Sequence, residues 1–311
     1  MEYKGKIYPK VSICIPSYNY AHFLSDTIES VLEQTYKNLE LIVVDNCSTD
    51  NTREIVQEYI NIDKRVTYFC NETNIGLVGN LTRCLEKASG EYVKIVCADD
   101  LLETHCIEKS VSVLENFPHV TLVTVGRLLV SKEIQPITTL FYSNKFKVID
   151  GIKVIKKCIV HGNLIGEPSA VIFKRKNAKR GFNTNYQQIS DLEMWIHLLE
   201  SGHFASIPEP LCKLRQHELQ GTKKNIISLD FADDEFNFLH EYLNKDSIKL
   251  SFFEKQYARL NRAHIIWKLR RYITPQKAKE KISEHYGLSL FYSLLPFKYF
   301  ELVIKTILKA T

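Results

Sequence analysis

With 311 residues, 45% hydrophobic and 25% charged, the chain can bury one large core or two modest ones, and its composition excludes a disordered protein. It contains no run of about 18 apolar residues, so no membrane-spanning helix is expected. The formal charge of +5 is uneven: residues 255–311 carry 12 Lys and Arg against 3 Asp and Glu, which leaves the first 254 residues net acidic. A basic tail suits anionic lipid or nucleic acid, but no nucleic-acid-binding module accompanies it, and no nucleic-acid partner is expected. Eight cysteines stand singly, with no Cys-x-x-Cys pair (Cys14, Cys47, Cys70, Cys84, Cys97, Cys106, Cys158, Cys212). That pattern favours reduced, mostly buried thiols in a cytoplasmic setting over a disulfide framework or zinc site. The polar, basic first ten residues lead straight into a strand, unlike a signal peptide.

Residues 11–17 form a short β-rich run, and Phe23, Leu24, Thr27, Ile28, Val31 and Leu32 then recur at helical spacing within 21–34. Residues 39–45 read as a second, buried strand. After the turn at 46–50, where Asp50 or Asn51 is suited to cap, a helix with Ile55, Val56 and Tyr59 on its inner face is expected. A third strand at 66–70, a loop at 71–76, a helix stopped by Gly90 and a fourth strand at 91–98 complete four βα units. Near-continuous apolar strands alternating with helices imply a parallel sheet covered on both faces, with ligands at the carboxyl ends of the strands. The polar residues fall at those ends: Ser17, Tyr18 and Asn19; Asp45 and Asn46; Asn74 and Gly76; Asp99 and Asp100.

Asp99 and Asp100 close the fourth apolar run, where carboxylates can hold a divalent cation against a nucleotide diphosphate. The simpler reading is that they open a following helix, whose dipole favours acids in its first turn. The first strand-to-helix turn, Pro16-Ser17-Tyr18-Asn19-Tyr20, has no glycine-rich phosphate loop, so phosphate charge must be met by metal and side chains.

After Phe117 the pattern changes. Strands at 120–130 and 145–149, a helix at 151–160 and a strand within 167–175 suggest a mixed sheet carrying an acceptor pocket. Ser190, Asp191 and Glu193 open a helix with Leu192, Trp195, Ile196 and Leu199 at helical spacing, and Ser190 with Glu193 matches a capping box. A short strand to 207, a turn at Pro208-Glu209-Pro210 and a segment ending Arg215-Gln216-His217 follow, then about 90 residues of helical pattern. Residues 255–281 read as a basic face. Beyond Pro296, Lys298, Glu301, Lys305 and Lys309 make a narrow polar stripe on an apolar helix, which suits either a membrane interface or packing on the protein's own core.

These stretches together resemble inverting glycosyltransferases of family 2 with the GT-A fold, over residues 9–220. The matching segments are Val11 to Asn19, Ile42 to Asp50, Asn74-Ile75-Gly76, Ala98-Asp99-Asp100, Ser190 to Trp195, and Arg215-Gln216-His217. The resemblance implies an α/β fold with a Rossmann-like nucleotide half (9–117) fused to a mixed acceptor half (118–220); the C-terminal helical extension (221–311), read from its own pattern, lies outside it. It implies that Pro16, Tyr18, Asp45 and Asn74 line the nucleoside pocket. Asp99, with Asp100 and His217, would meet Mn2+ or Mg2+, Arg215 would lie near the diphosphate, and Asp191 would be the catalytic base. Arg215 and His217 read equally well as an ordinary loop pair. The family commonly has an acid where this chain has Cys97, whose soft thiol suits manganese better than magnesium.

The implied reaction moves a hexosyl or N-acetylhexosaminyl unit from a nucleoside-diphosphate sugar, a UDP-sugar by expectation, to a hydroxyl of a glycan or polyprenyl-linked oligosaccharide. Bacterial surface-polysaccharide synthesis at the inner membrane face is the expected setting. Two other readings stand beside it: a catalytically silent sugar-nucleotide or glycan-binding protein of the same fold, and a nucleotidyltransferase. The oligomeric state is not legible.

Overall fold

The computed structural model describes residues 8–218, 220, 230–268 and 274–286. Two compact units divide the chain: one runs to Ile155 and includes Asn163–Gln220, and the other joins Lys156–Gly162 to the chain beyond Gln220.

In the first unit, β1 (Val11–Ser17), β2 (Leu39–Asp45), β3 (Val66–Cys70) and β4 (Tyr92–Ile95) lie parallel in the order β3-β2-β1-β4. Helices α1 (Ala21–Leu32), α2 (Thr52–Ile62) and α3 (Gly76–Lys87) make the crossovers. Side chains along a strand alternate between the faces. Ile13 and Ile15 accordingly join the core with Leu24 and Ile28 of α1, Val56 of α2, and Ile107 and Val111 of α4 (Cys106–Asn116). On the opposite face, the Cys14 thiol meets the Cys84 carbonyl of α3 at 3.5 Å. All eight cysteines are free, and five of them are buried. Gly90 lies between α3 and β4, where a Cβ would come within 2.6 Å of the Lys10 carbonyl oxygen. The backbones approach there more closely than any side chain permits.

The acceptor half extends the same sheet. β9 (Val171–Lys174) runs antiparallel to β4, β6 (Val120–Val130) antiparallel to β9, and β10 (His203–Arg215) parallel to β6. β7 (Pro136–Leu140), not foreseen from sequence, pairs with β6, while β8 (Lys147–Asp150) pairs with the start of β10. The turn expected at Pro208-Glu209-Pro210 is instead an irregularity within one long β10, because β6 on its flank holds both halves in line.

Asp99 and Asp100 do not open a helix. β4 stops at Ile95, the Asp100 N–H closes a tight turn onto the Cys97 carbonyl (3.0 Å), and a two-residue strand, β5 (Leu101–Leu102), pairs with Cys212 and Lys213 of β10. The turn therefore hangs between two anchored strands, and the end of β10 arrives beside it.

In the second unit, Val160, Ala232, Tyr257, Ala263, Ile266 and Ile282 form a small core joining helices Asp230–Tyr242, Phe252–Lys268 and Pro275–Tyr286 to residues 156–162. Arg262 is buried and ion-paired with Glu235. The lysine-striped helix expected beyond Pro296 lies outside the described residues. Among the described residues, no helix is long and apolar enough to cross a membrane.

Candidate active site

Three of the four strand ends are tied into one hydrogen-bond network. Asp45, 2% exposed, accepts from the backbone N–H and hydroxyl of Ser48 on Oδ1 (3.0 and 2.5 Å) and from the Tyr68 hydroxyl on Oδ2 (2.6 Å). Burial first, and then that bond to Asp45, push the Tyr68 hydroxyl above its ordinary range. Asn46 accepts from Asn71 Nδ2 and the Ile75 N–H (3.0 Å each) and donates to Asn74 Oδ1 (2.8 Å). Asn19 takes a left-handed φ of 58°, which asparagine tolerates, donates its N–H to Ser48 Oγ (2.9 Å) and accepts from the Thr49 N–H (2.8 Å). Tyr18 is 44% exposed beside this network and Pro16 is half-buried. A rigid polar floor with a free aromatic ring at its edge is a geometry that receives a nucleoside. The N-cap of α2 is Asn51, with no side-chain cap, and Asp50 just before it ties two helix starts together: Oδ1 accepts from the Thr52 N–H and hydroxyl, and Oδ2 from the Ala21 N–H at the start of α1.

The fourth strand end holds the acids. The Thr27 hydroxyl on α1 donates to the Ala98 carbonyl (2.9 Å), fixing the turn from below. Asp99 Oδ2 lies 2.9 Å from His217 Nε2, with both residues buried. Asp100 accepts from the Ser169 hydroxyl on Oδ2 (2.5 Å) and from the Arg215 N–H on Oδ1 (3.1 Å). Burial, and then the neighbouring Asp99 charge, raise the Asp100 carboxyl well above the usual range. Burial followed by the charges of Asp100 and Asp99 likewise pushes the Cys97 thiol up. Ligand atoms of Cys97, Asp99 and Asp100 lie within 4.8 Å of one another.

Two carboxylates buried side by side call for a cation. A nitrogen and an oxygen 2.9 Å apart, as in His217 and Asp99, match adjacent vertices around an octahedral cation with bonds of about 2.1 Å. The residues therefore suit a divalent metal held by Asp99 and His217. Both oxygens of Asp100 already have protein donors.

Arg215, 4% exposed, is a strut. Its Nε donates to the Asp99 carbonyl (3.1 Å), Nη2 pairs with Asp26 (2.8 Å), and the guanidinium lies 4.6 Å from the Phe23 ring centroid. A cavity of about 350 Å³, lined in part by His22, Lys132, Glu133 and Gln216, adjoins His217.

Asp191 lies in the first turn of α5 (Ser190–Leu199) and accepts from the Leu192 N–H on Oδ1 (2.7 Å) and from Asn163 Nδ2 on Oδ2 (3.0 Å). The expected capping box does not form. The N-cap is Ile189, with no side-chain cap, and Glu193 turns inward, where Arg180 grips both its oxygens at 2.7 Å. A buried carboxylate gains more from a guanidinium than from a solvated backbone amide.

Asn163 and Ser169, six residues apart in sequence, contact Asp191 and Asp100 respectively, so that loop spans the distance between the two acids' partners, at most about 22 Å by chain reach. Neither Asn163 nor Ser169 was legible as a site residue. Asn163 stands in a loop, Ser169 lies in a 3-10 turn at Pro168–Ala170, and only the fold brings the acids to them.

A polar floor at the strand ends, an acid pair with an imidazole, and a separate carboxylate at a helix start sit on a fold of the GT-A type. The chain belongs to glycosyltransferase family 2: the profile described as Glycosyl transferase family 2 matches residues 12–184. It is 31% identical over 218 residues to an uncharacterized glycosyltransferase of Haemophilus influenzae, covering 67% of this chain and 66% of that relative. It is 31% identical over 197 residues to the putative teichuronic acid biosynthesis glycosyltransferase TuaG of Bacillus subtilis, covering 63% of this chain and 75% of TuaG. The fold resembles residues 1–349 of S. aureus TarS in complex with UDP-GlcNAc (TM-score 0.60, 15% identity, 93% of this chain and 92% of that one). It also resembles the mannosyltransferase PcManGT of Pyrobaculum calidifontis in complex with GDP-Man and Mn2+ (TM-score 0.59, 18% identity, 95% and 81%).

Proposed function

We propose that this chain transfers a sugar from a nucleoside-diphosphate sugar to an acceptor hydroxyl by direct displacement with inversion. Asp191 acts as the base. The observation that carries this reading is the placement of Asp191, fixed by Asn163, at the far end of the loop whose other end holds Asp100. Base and leaving group must flank the anomeric carbon from opposite sides in a direct displacement. As the acceptor oxygen forms its bond to that carbon, Asp191 takes the hydroxyl proton, and the bond to the diphosphate breaks with its electron pair leaving on phosphate oxygen. A divalent cation on Asp99 and His217, Mn2+ or Mg2+, would neutralise that departing charge. Asp100 orients the turn, and Arg215 holds it against α1. Pro16, Tyr18, Asp45 and Asn74 receive the nucleoside, with Tyr18 against the base.

A UDP-sugar is the favoured donor, supported by the complex of the similar TarS fragment with UDP-GlcNAc. A glycan or polyprenyl-linked acceptor in surface-polysaccharide synthesis is supported by the likeness to TuaG, and the basic C-terminal sequence supports contact with the inner membrane face. Asp191→Asn tests the assignment: turnover falls by about 10² to 10⁴ while nucleoside-diphosphate affinity is unchanged. Near-normal turnover rejects Asp191 as base, and nucleotide binding without transfer across a donor panel in the unmodified chain marks a catalytically silent protein.

A further inference from the structure

Between Asn163 and Ser169 the loop is held at nearly every residue. Asn163 Oδ1 accepts from the N–H groups of Ile165 and Gly166 (3.1 and 2.9 Å). The Ile165 carbonyl accepts from the Thr124 hydroxyl (2.8 Å), and the Gly166 carbonyl accepts from Trp195 Nε1 (2.9 Å). Gly166 has φ +117°, and a Cβ there would lie 2.6 Å from Arg127 Nη1, so this glycine lets the loop lie directly against the guanidinium.

The next residue, Glu167, leaves the protein. Its Oε2 is gripped by Arg127 Nη1 at 2.8 Å, yet its side chain is 49% exposed whereas that of Arg127 is 9% exposed. Oε1 has no protein partner among the described residues, and buried Arg127 Nε has none either. A surface ion pair for stability would expose both ends. Here a buried arginine aims a half-exposed carboxylate from a pinned loop, between the residues that hold Asp191 and Asp100.

We propose that Glu167, oriented by Arg127, is a sugar-hydroxyl subsite that accepts hydrogen bonds from ring hydroxyls of the sugar being transferred. This rests on the reading that Asp99 holds the diphosphate side and Asp191 the acceptor side, since the transferred ring must then lie between them. A carboxylate with an unused oxygen suits adjacent hydroxyls, which can each donate to it. Preorganisation by Arg127 and the pinned loop means little ordering cost on binding.

The test compares the whole chain with Glu167→Gln and Glu167→Asp by titration calorimetry with Mn2+, using UDP and GDP, then UDP-GlcNAc, UDP-glucose and GDP-mannose. Glutamine keeps the shape and an acceptor for Arg127 but loses the charge; aspartate keeps the charge but withdraws it. The expected result is unchanged affinity for the nucleoside diphosphate that binds. The sugar nucleotide's affinity relative to that diphosphate drops about tenfold in both variants, the size of one charge-assisted hydrogen bond. Equal losses for diphosphate and sugar nucleotide, or a lowered melting temperature with no change in the ratio, make Glu167 only a partner of Arg127 and overturn the proposal while the function stands. If the unmodified chain binds none of these ligands, the proposed function falls and the subsite with it.

Discussion

Replacing Arg215 with lysine separates a structural strut from a diphosphate contact, the role the family resemblance implies. In the fold the guanidinium serves the Asp99 carbonyl, Asp26 and the Lys132 carbonyl (3.4 Å) at once. A lysine ammonium can keep only part of that planar set. Losing two hydrogen bonds from a charged donor, at about 1.5 kcal/mol each, costs about 3 kcal/mol. Asp26 is half exposed, so solvent screening removes part of its share and leaves roughly 2–3 kcal/mol. For a unit of this size that is a drop of about 5–10 °C in melting temperature. Thermal unfolding of the first unit can be followed by the fluorescence of Trp195, fully buried there, in a Trp267→Phe background. A melting temperature within 1–2 °C of the parent (roughly 0.5 kcal/mol), together with a tenfold loss of nucleoside-diphosphate affinity, would refute the strut and restore the diphosphate contact.

The acid limb of stability should carry a contribution from Glu40. Burial alone would raise its carboxyl, but hydrogen bonds from Lys10, Ser12 and Ser89 outweigh it and hold the group at about 2 against an ordinary 4.5. A depressed folded value stabilises above the unfolded pKa, so this contribution, about 2 kcal/mol after allowing for the exposed Lys10 side, is present above pH 4.5 and disappears as pH falls toward 2. The melting-temperature gap between the parent and Glu40→Gln should therefore close over that window, and a gap independent of pH would show that the hydrogen bonds do not favour the ionised form. For the metal, EDTA should abolish sugar transfer and Mn2+ or Mg2+ restore it, and His217→Ala should raise the metal concentration required by about tenfold or more. Full activity in chelator removes the metal from the reaction.

What could be read along the chain is what depends on local pattern. The near-continuous apolar runs of β1, β2 and β4 and the helical spacing of α1 announce a covered parallel sheet, because side-chain periodicity and burial are set by neighbours in sequence. The polar residues closing those strands mark the ligand edge, because strand ends in such a sheet share one side. Periodicity says little about whether a paired residue lies on a neighbouring strand or a distant one. β10 therefore reads as two pieces, and a helix start stays open beside the cation site as a reading of the acids, whereas in the fold β6 and β5 hold those segments as strands.

The same limit governs the site. Asp99, Asp191 and His217 could be picked out by motif, but the Asp99 to His217 contact joins residues 118 apart. Arg215 reaches α1, and Ser169 and Asn163 bind acids from opposite ends of one loop. Glu193 left its capping position for Arg180, because burial rewards an ion pair that the local sequence does not reveal. Sequence by itself determined the class of chemistry and the strand ends that carry it. Tertiary structure decided which donors each carboxylate has already met, because hydrogen-bond partners such as Ser169 for Asp100 and Arg127 for Glu167 come from segments distant in sequence.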